Sequence, residues 1–218
     1  MLFEIIPLFL QGNHQDIFLR HCRVIRLALD TQSNPPTMMV YLSPWQPNLR
    51  LGFDLLLTAT AMRERFLEML ALKQLPRTGW VRAGVDHPES VAAHSWGMAI
   101  LALRLAPQDL DLTKILAMCL VHDLPEVRVG DLTPHDDLSN KFNDEHAAMR
   151  DLAPQWLELF EEYEAGQSNE AKFVKQIDKL DMGLQATLYQ IEQGLDLQEF
   201  LVSAKNAVTD VDLLQILD

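Results

Sequence analysis

The chain has 218 residues, 48% of them hydrophobic and 22% charged, a globular composition with apolar material for one sizeable core, with or without an appendage. Its formal net charge of −13 argues against a nucleic-acid polymer or an anionic membrane as the main partner, since both present negative charge. Two cysteines, Cys22 and Cys119, are too few for a disulfide framework, no apolar run approaches the ~18–20 residues of a membrane span, and the start Met1-Leu-Phe-Glu-Ile-Ile-Pro lacks the basic region of a signal peptide; together these imply a cytoplasmic protein.

Along the chain the composition changes near residue 60. Residues 1–60 carry Arg20, Arg23, Arg26 and Arg50 against Glu4, Asp16, Asp30 and Asp54, so residues 61–218 hold the whole excess of acid, and the first lysine is Lys73. Ser33-Asn-Pro-Pro36 and Ser43-Pro-Trp-Gln-Pro-Asn48 are loop signals, and an imperfect apolar stripe predicts a short helix across Asp16–Leu29. Residues 1–60 therefore read as a poorly structured N-terminal extension, with a translation start near Met62 or a regulatory arm as competing readings. From about Leu55 the periodicity is helical. Val91, His94, Met98, Leu101 and Leu105 share one face of a helix that Pro88 can open and Pro107 ends. Asp111 caps a second helix that Pro125 bends or stops, Ser139 caps a third running to Leu152, and a fourth spans about Gln155–Glu164, closed by Gly166. Ser168 caps a long helix to Gln193, before Gly194, with Phe173, Ile177, Leu180 and Leu184 on its buried stripe; short helices from Asp196 and Thr209 finish the chain. Residues 61–218 are expected to form an all-α domain.

Three polar positions interrupt these apolar faces. His94 lies on the Val91–Leu105 stripe, His122-Asp123 closes the run Ile115-Leu-Ala-Met-Cys-Leu-Val, and Asp178 sits among Phe173, Val174, Ile177 and Leu180. Unpaired, such groups in one core cost several kcal/mol. A divalent cation resolves that cost, and two imidazoles with two carboxylates suit one with positions left for water and phosphate. Adjacent side chains diverge by about 100° on a helix, so His122 and Asp123 reach one ion only at a bend, which Pro125 supplies. Asp181 shares a face with Asp178 and competes with it as fourth ligand.

The pattern His94…His122-Asp123…Asp178 resembles that of the HD-domain metal-dependent phosphohydrolases. Pro76-Arg-Thr-Gly-Trp-Val, Pro88-Glu-Ser-Val-Ala-Ala-His94, Leu120-Val-His-Asp-Leu-Pro-Glu126-Val-Arg-Val-Gly-Asp131-Leu-Thr-Pro and Glu170-Ala-Lys-Phe-Val-Lys-Gln-Ile-Asp178-Lys-Leu-Asp-Met-Gly-Leu-Gln-Ala narrow the resemblance to the 5′-deoxynucleotidase branch, over roughly residues 62–195. It implies an HD-domain helical bundle that hydrolyses deoxyribonucleoside 5′-monophosphates, with His94, His122, Asp123 and Asp178 holding a divalent metal (Mn, Co or Mg). Glu126 and Asp131 match the family's acidic pair beside the site, which in some members holds a second ion with a main-chain carbonyl at the Leu132 position. Arg77 matches a phosphate- or nucleotide-contacting arginine, and Trp80 the aromatic residue that disfavours a ribose 2′-OH. The helix after Pro134 is less basic than in the family and leaves Lys141 as the lone cationic candidate there.

The implied chemistry is coherent. A phosphate monoester is dianionic, so its hydrolysis needs positive charge at the phosphoryl oxygens and an activated water. Glu126, one turn beyond His122, is placed to move the proton, and Arg77 to neutralise phosphate. Competing readings are an HD phosphohydrolase acting on another nucleotide and a non-catalytic metal- or nucleotide-binding module. The resemblance also implies a homodimer, for which Leu195, Leu197, Phe200 and Leu201 are the expected patch.

Overall fold

The computed structural model describes residues 26–30, 37–41 and 47–218, with side chains from residue 59 onward. The chain divides into two units, Met1–Thr60 and Ala61–Asp218. In the first, β1 (Arg26–Asp30) and β2 (Thr37–Tyr41) pair antiparallel, with Leu27 opposite Val40 and Leu29 opposite Met38. The helix expected across Asp16–Leu29 is thus corrected over its last residues, and the rest of it lies outside the described residues. A cross-strand partner a few residues downstream supplies ladder hydrogen bonds that an imperfect helical stripe does not outcompete. Helix α1 (Pro47–Leu70) begins earlier than the expected Leu55. Its first position needs no free N–H, so proline suits it.

The second unit is all-α, as the periodicity predicts. After a 3₁₀ turn, Ala71–Gln74, come α2 (Thr78–Arg82), α3 (Val91–Leu105), α4 (Leu112–Val121), α5 (Glu126–Val129), α6 (Lys141–Leu152), α7 (Leu157–Ala165), α8 (Asn169–Gln193), α9 (Gln198–Ala207) and α10 (Val211–Gln215). Side chains of Asp111 and Ser168 accept from the Lys114 and Ala171 amides and start α4 and α8 as expected, while Gly166 and Gly194, at φ of 60° and 69°, close α7 and α8 in the left-handed conformation. Two starts differ. Ser90, not Pro88, caps α3 by accepting from Ala93 N. The expected Ser139 cap on α6 does not form: the helix begins at Lys141, Asn140 stands in the cap position, and no side chain accepts from the first turn.

Helix α8 runs through the centre of the main core, where Phe173, Val174, Ile177 and Leu180 meet Met98 and Ala102 of α3 and Ile115, Met118 and Cys119 of α4. A second cluster gathers Val91, Val121, Leu124, Met149, Leu152 and Phe160 under the end of α4. In the third, Leu197 packs with Trp80, Val85 and Tyr189, and Leu195, Phe200 and Leu201 close over them. The apolar positions expected to form a dimer patch are thus largely spent within the chain. Burying them against Trp80 removes that area from water without a second copy. No helix among the described residues is long and apolar enough to cross a membrane.

Candidate metal centre

The site forms where α3, α4 and α8 meet. The Ser90 cap holds the first turn of α3, and His94 follows one turn later with 1% of its surface exposed. Helix α4 ends at Val121, although the His122 amide still bonds Met118 O at 3.0 Å. The chain then turns through His122–Pro125 before α5. This bend brings the adjacent His122 and Asp123 to one point. Asp178 arrives from the middle of α8, between the buried Ile177 and Leu180.

His94 Nε2 lies 3.3 Å from Asp178 Oδ1 and 3.9 Å from Asp123 Oδ2, and His122 Nε2 lies 3.0 Å from the same Asp123 oxygen. Donor atoms of His94, His122 and Asp178 all fall within 4.8 Å of one another. Ligands held ~2.0–2.2 Å from a shared ion stand roughly 3–4 Å apart, so the spacing fits one cation. The ring orientations agree. Nδ1 of His122 faces Cys119 O at 3.1 Å and Nδ1 of His94 faces Asp181 Oδ2 at 2.8 Å. Both partners only accept, so each Nδ1 carries the proton. Each Nε2 is buried without a hydrogen-bond partner, a costly state that a bound cation relieves. The residues present therefore fit a divalent ion.

Burial opposes charge throughout the cluster, and the neighbours outweigh it. The Asp178 carboxyl, despite burial, is held well below the usual carboxylate range by the His94 ring edge 3.3 Å away and by the charges of Lys179 and Arg77. Burial and Arg77 push the His94 imidazole down, but the Asp178 and Asp181 carboxylates at its two edges raise it to about 9. The same excess of carboxylate that raises the imidazole favours a divalent cation among these groups.

Arg77, just before α2, places Nη1 3.3 Å from Asp123 Oδ2. Despite burial, Asp123, Asp178, Asp131 and Glu126 hold its pKa above the ordinary value. Glu126, first residue of α5, is 3% exposed and its Oε2 has no partner. Burial first, then Asp123 and Asp131, push its pKa upward, with Arg77 and Lys141 opposing. Asp131 stands apart from the histidines, accepting the Thr78 amide at the start of α2. Trp80 is wedged between Tyr189 and Phe200, ring centroids 5.5 and 4.4 Å away, and its Nε1 donates to Glu89 Oε1 at 3.0 Å. Lys141 pairs with Glu145.

Arg77, Trp80, Asp123, Glu126, Asp131, Leu132, Lys141 and Asp178 all line one cavity of about 780 Å³. Several of its other residues escape a reading of the sequence. Tyr163 sets its ring edge-on to His122 at 5.0 Å, Lys175 places Nζ 4.1 Å over that same Tyr163 ring, and Lys179 pairs with Asp178 at 3.0 Å. Arg82 ties α2 to the loop after α5 through Thr133 and Asp136. Lys175 and Lys179 flank Asp178 at i−3 and i+1, which is the one signal that could have marked them.

A model of the HD domain matches residues 69–214. The chain belongs to the HD-domain family. The HD domain here is 38% identical over 165 residues to the mouse (Mus musculus) protein named 5′-deoxynucleotidase HDDC2, covering 70% of this chain and 83% of that one. It is 37% identical to the Schizosaccharomyces pombe protein named 5′-deoxynucleotidase hdd1, covering 64% and 79%. Among solved structures, the PH0347 protein from Pyrococcus horikoshii OT3 superposes with a TM-score of 0.63 at 36% identity, over 71% of this chain and 92% of that one. The HD domain's metal dependence accords with the His/Asp group, which is able to hold an ion.

Proposed function

We propose that the chain is a 5′-deoxynucleotidase, a metal-dependent phosphomonoesterase that converts deoxyribonucleoside 5′-monophosphates to deoxynucleoside and phosphate. The observation that carries the reading is the pair of buried, unpartnered histidine Nε2 atoms facing Asp123 and Asp178, two carboxylates that line a cavity together with Arg77 and Lys141. The names of the relatives supply the substrate class.

In this reading His94, His122, Asp123 and Asp178 hold a Mn, Co or Mg ion. When bound, that ion supplies Lewis acidity to the phosphoryl oxygens and acidifies a water. The chain's own groups do the rest. Arg77 neutralises phosphate while its contact with Asp123 keeps it oriented, and Lys141 adds charge from the start of α6. Glu126, buried and with a raised pKa, is suited to hold a proton and give it to the leaving 5′-oxygen. Asp131 positions the segment carrying Arg77 through the Thr78 amide. The second-ion role belongs to Glu126, Asp131 and the Leu132 carbonyl, with Asp131 Oδ2 holding the Thr78 amide and Oδ1 left to face the ion. Trp80, fixed by Glu89, Tyr189 and Phe200, lines the cavity and is the wall assigned to disfavour a ribose 2′-OH.

Phosphate release from a panel of deoxy- and ribonucleoside 5′-monophosphates, with Mn²⁺, Co²⁺ or Mg²⁺ and after chelation, tests the proposal. Deoxy substrates should be hydrolysed in preference and only with metal. Turnover confined to cyclic nucleotides or polyphosphates would assign another HD activity, and none at all would leave a binding module. We further propose a cytoplasmic homodimer. With Leu197 and its neighbours turned inward, the exposed α3 stripe Trp96, Ile100 and Leu103 is the surface assigned to it. Light scattering should give a dimer that Trp96→Glu dissociates.

A further inference from the structure

Sequence spacing offers Asp181 only as a rival to Asp178 for the ion, yet the two carboxylates meet opposite edges of the His94 ring. Asp178 Oδ1 lies 3.3 Å from Nε2, while Asp181 Oδ2 takes the hydrogen bond from Nδ1 at 2.8 Å. Both residues of that bond are buried. The bond depends on a close approach of α3 and α8. A Cβ added at Gly97, in the interior of α3, would fall well inside contact distance of Asp181 Oδ1 and 3.2 Å from its Cγ. Gly97 has an ordinary helical backbone that alanine adopts readily, and glycine there costs the helix about 0.8–1 kcal/mol relative to alanine. Its presence makes sense as room for the carboxylate. Glu89, which also approaches this edge of the ring, is engaged by Trp80 Nε1. Asp181 is thus the hydrogen-bond partner of Nδ1 among the described residues.

We infer that Asp181 is a positioning residue for the metal centre, locking the His94 ring and its Nδ1–H tautomer so that Nε2 faces the ion, and that Gly97 supplies the space this requires. The inference rests on the proposed metal centre. A carboxylate behind a metal-binding imidazole fixes ring orientation and raises ligand basicity, and removing one typically costs 10–100-fold in metal affinity. The two histidines differ here, because His122 leans on a backbone carbonyl that no side-chain substitution removes.

The test measures Co²⁺ affinity of the full chain by competition with a chelator, independently of turnover, for wild type, Asp181→Ala, Asp181→Asn, Gly97→Ala and the double variant Gly97→Ala/Asp181→Ala. Melting curves of the metal-free proteins report folding. Each alanine variant should lose about 10–100-fold in affinity. The double variant should be no weaker than the weaker single, since both break one contact. Asp181→Asn, which keeps an acceptor but not the charge, should recover part of the loss and remains informative if Asp181→Ala fails to fold. Wild-type protein that binds no Co²⁺ would overturn the metal centre itself. Tight wild-type binding with Asp181 variants equally tight would overturn the positioning role alone, and losses that multiply in the double variant would overturn the link to Gly97.

Discussion

Replacing Glu126 by glutamine keeps the side chain's size and removes its charge. Glu126 is 3% exposed, its Oε2 has no hydrogen-bond partner, and burial with Asp123 and Asp131 raises its pKa above the ordinary 4.5. A carboxyl with a folded pKa above its unfolded one holds its proton more tightly when folded. Below the unfolded pKa both states are protonated and nothing is lost. As pH rises above it, the unfolded chain releases its proton first, and the native state loses stability until pH passes the folded pKa. Each unit of upward shift costs about 1.4 kcal/mol once that window is crossed. With the folded pKa raised to about 10, the loss runs through the whole neutral range, so metal-free Glu126→Gln should be clearly more stable than wild type at neutral pH, with a Tm higher by several degrees. Turnover should move the other way, falling about 10²–10⁴-fold with the loss of proton transfer, while Co²⁺ binding persists. Thermal melts in chelator at pH 4.5 and 7.5, beside phosphate-release rates, measure both. A variant less stable than wild type at neutral pH, a gain equally large at pH 4.5, or a rate close to wild type would each refute this account of Glu126.

Mn²⁺ at a hundredfold over its Kd should stabilise the protein by about 2.7 kcal/mol, roughly 5–11 °C in Tm; His122→Ala should abolish that shift, and an equal shift in the variant would put the ion elsewhere. Cys119 is buried and its thiol is pushed up to about 12 by that burial, so peptide mapping after thiol labelling at pH 8 should find it unmodified in the native protein and modified after denaturation. A chain truncated to Met62–Asp218 retains every proposed ligand and the three core clusters, and it should remain folded by circular dichroism, bind Co²⁺ and keep most of its nucleotidase activity. Insoluble or metal-free product from that truncation would place part of the core upstream of Met62.

Much of the HD domain is legible because its signals are local. A 3.6-residue period places His94 and Asp178 on apolar faces whatever surrounds them, and Asp111, Ser168, Gly166 and Gly194 end helices through bonds within a few residues. Where local signals were weak or rivalled, the reading slipped. Helix α6 starts at Lys141 with Asn140, not Ser139, in the cap position, and β1 forms because β2 pairs with it, which a stripe within one segment does not reveal.

The sequence by itself determined that two histidines and two aspartates would sit in a helical core and that a cation would reconcile them with it, since polarity on a buried face is a property of spacing and composition. Which aspartate faces Nε2 of His94 and which its Nδ1 was decided only by tertiary structure. Asp178 and Asp181 are three apart on one helix face, and no local rule separates them. The crossing of α8 over α3, possible because Gly97 leaves room for a carboxylate, puts them on opposite edges of one ring. The same holds for Leu197 and Phe200, apolar in either setting. Only the packing of α9 against Trp80 turned them inward, because hydrophobic burial has no direction until a partner surface is in place.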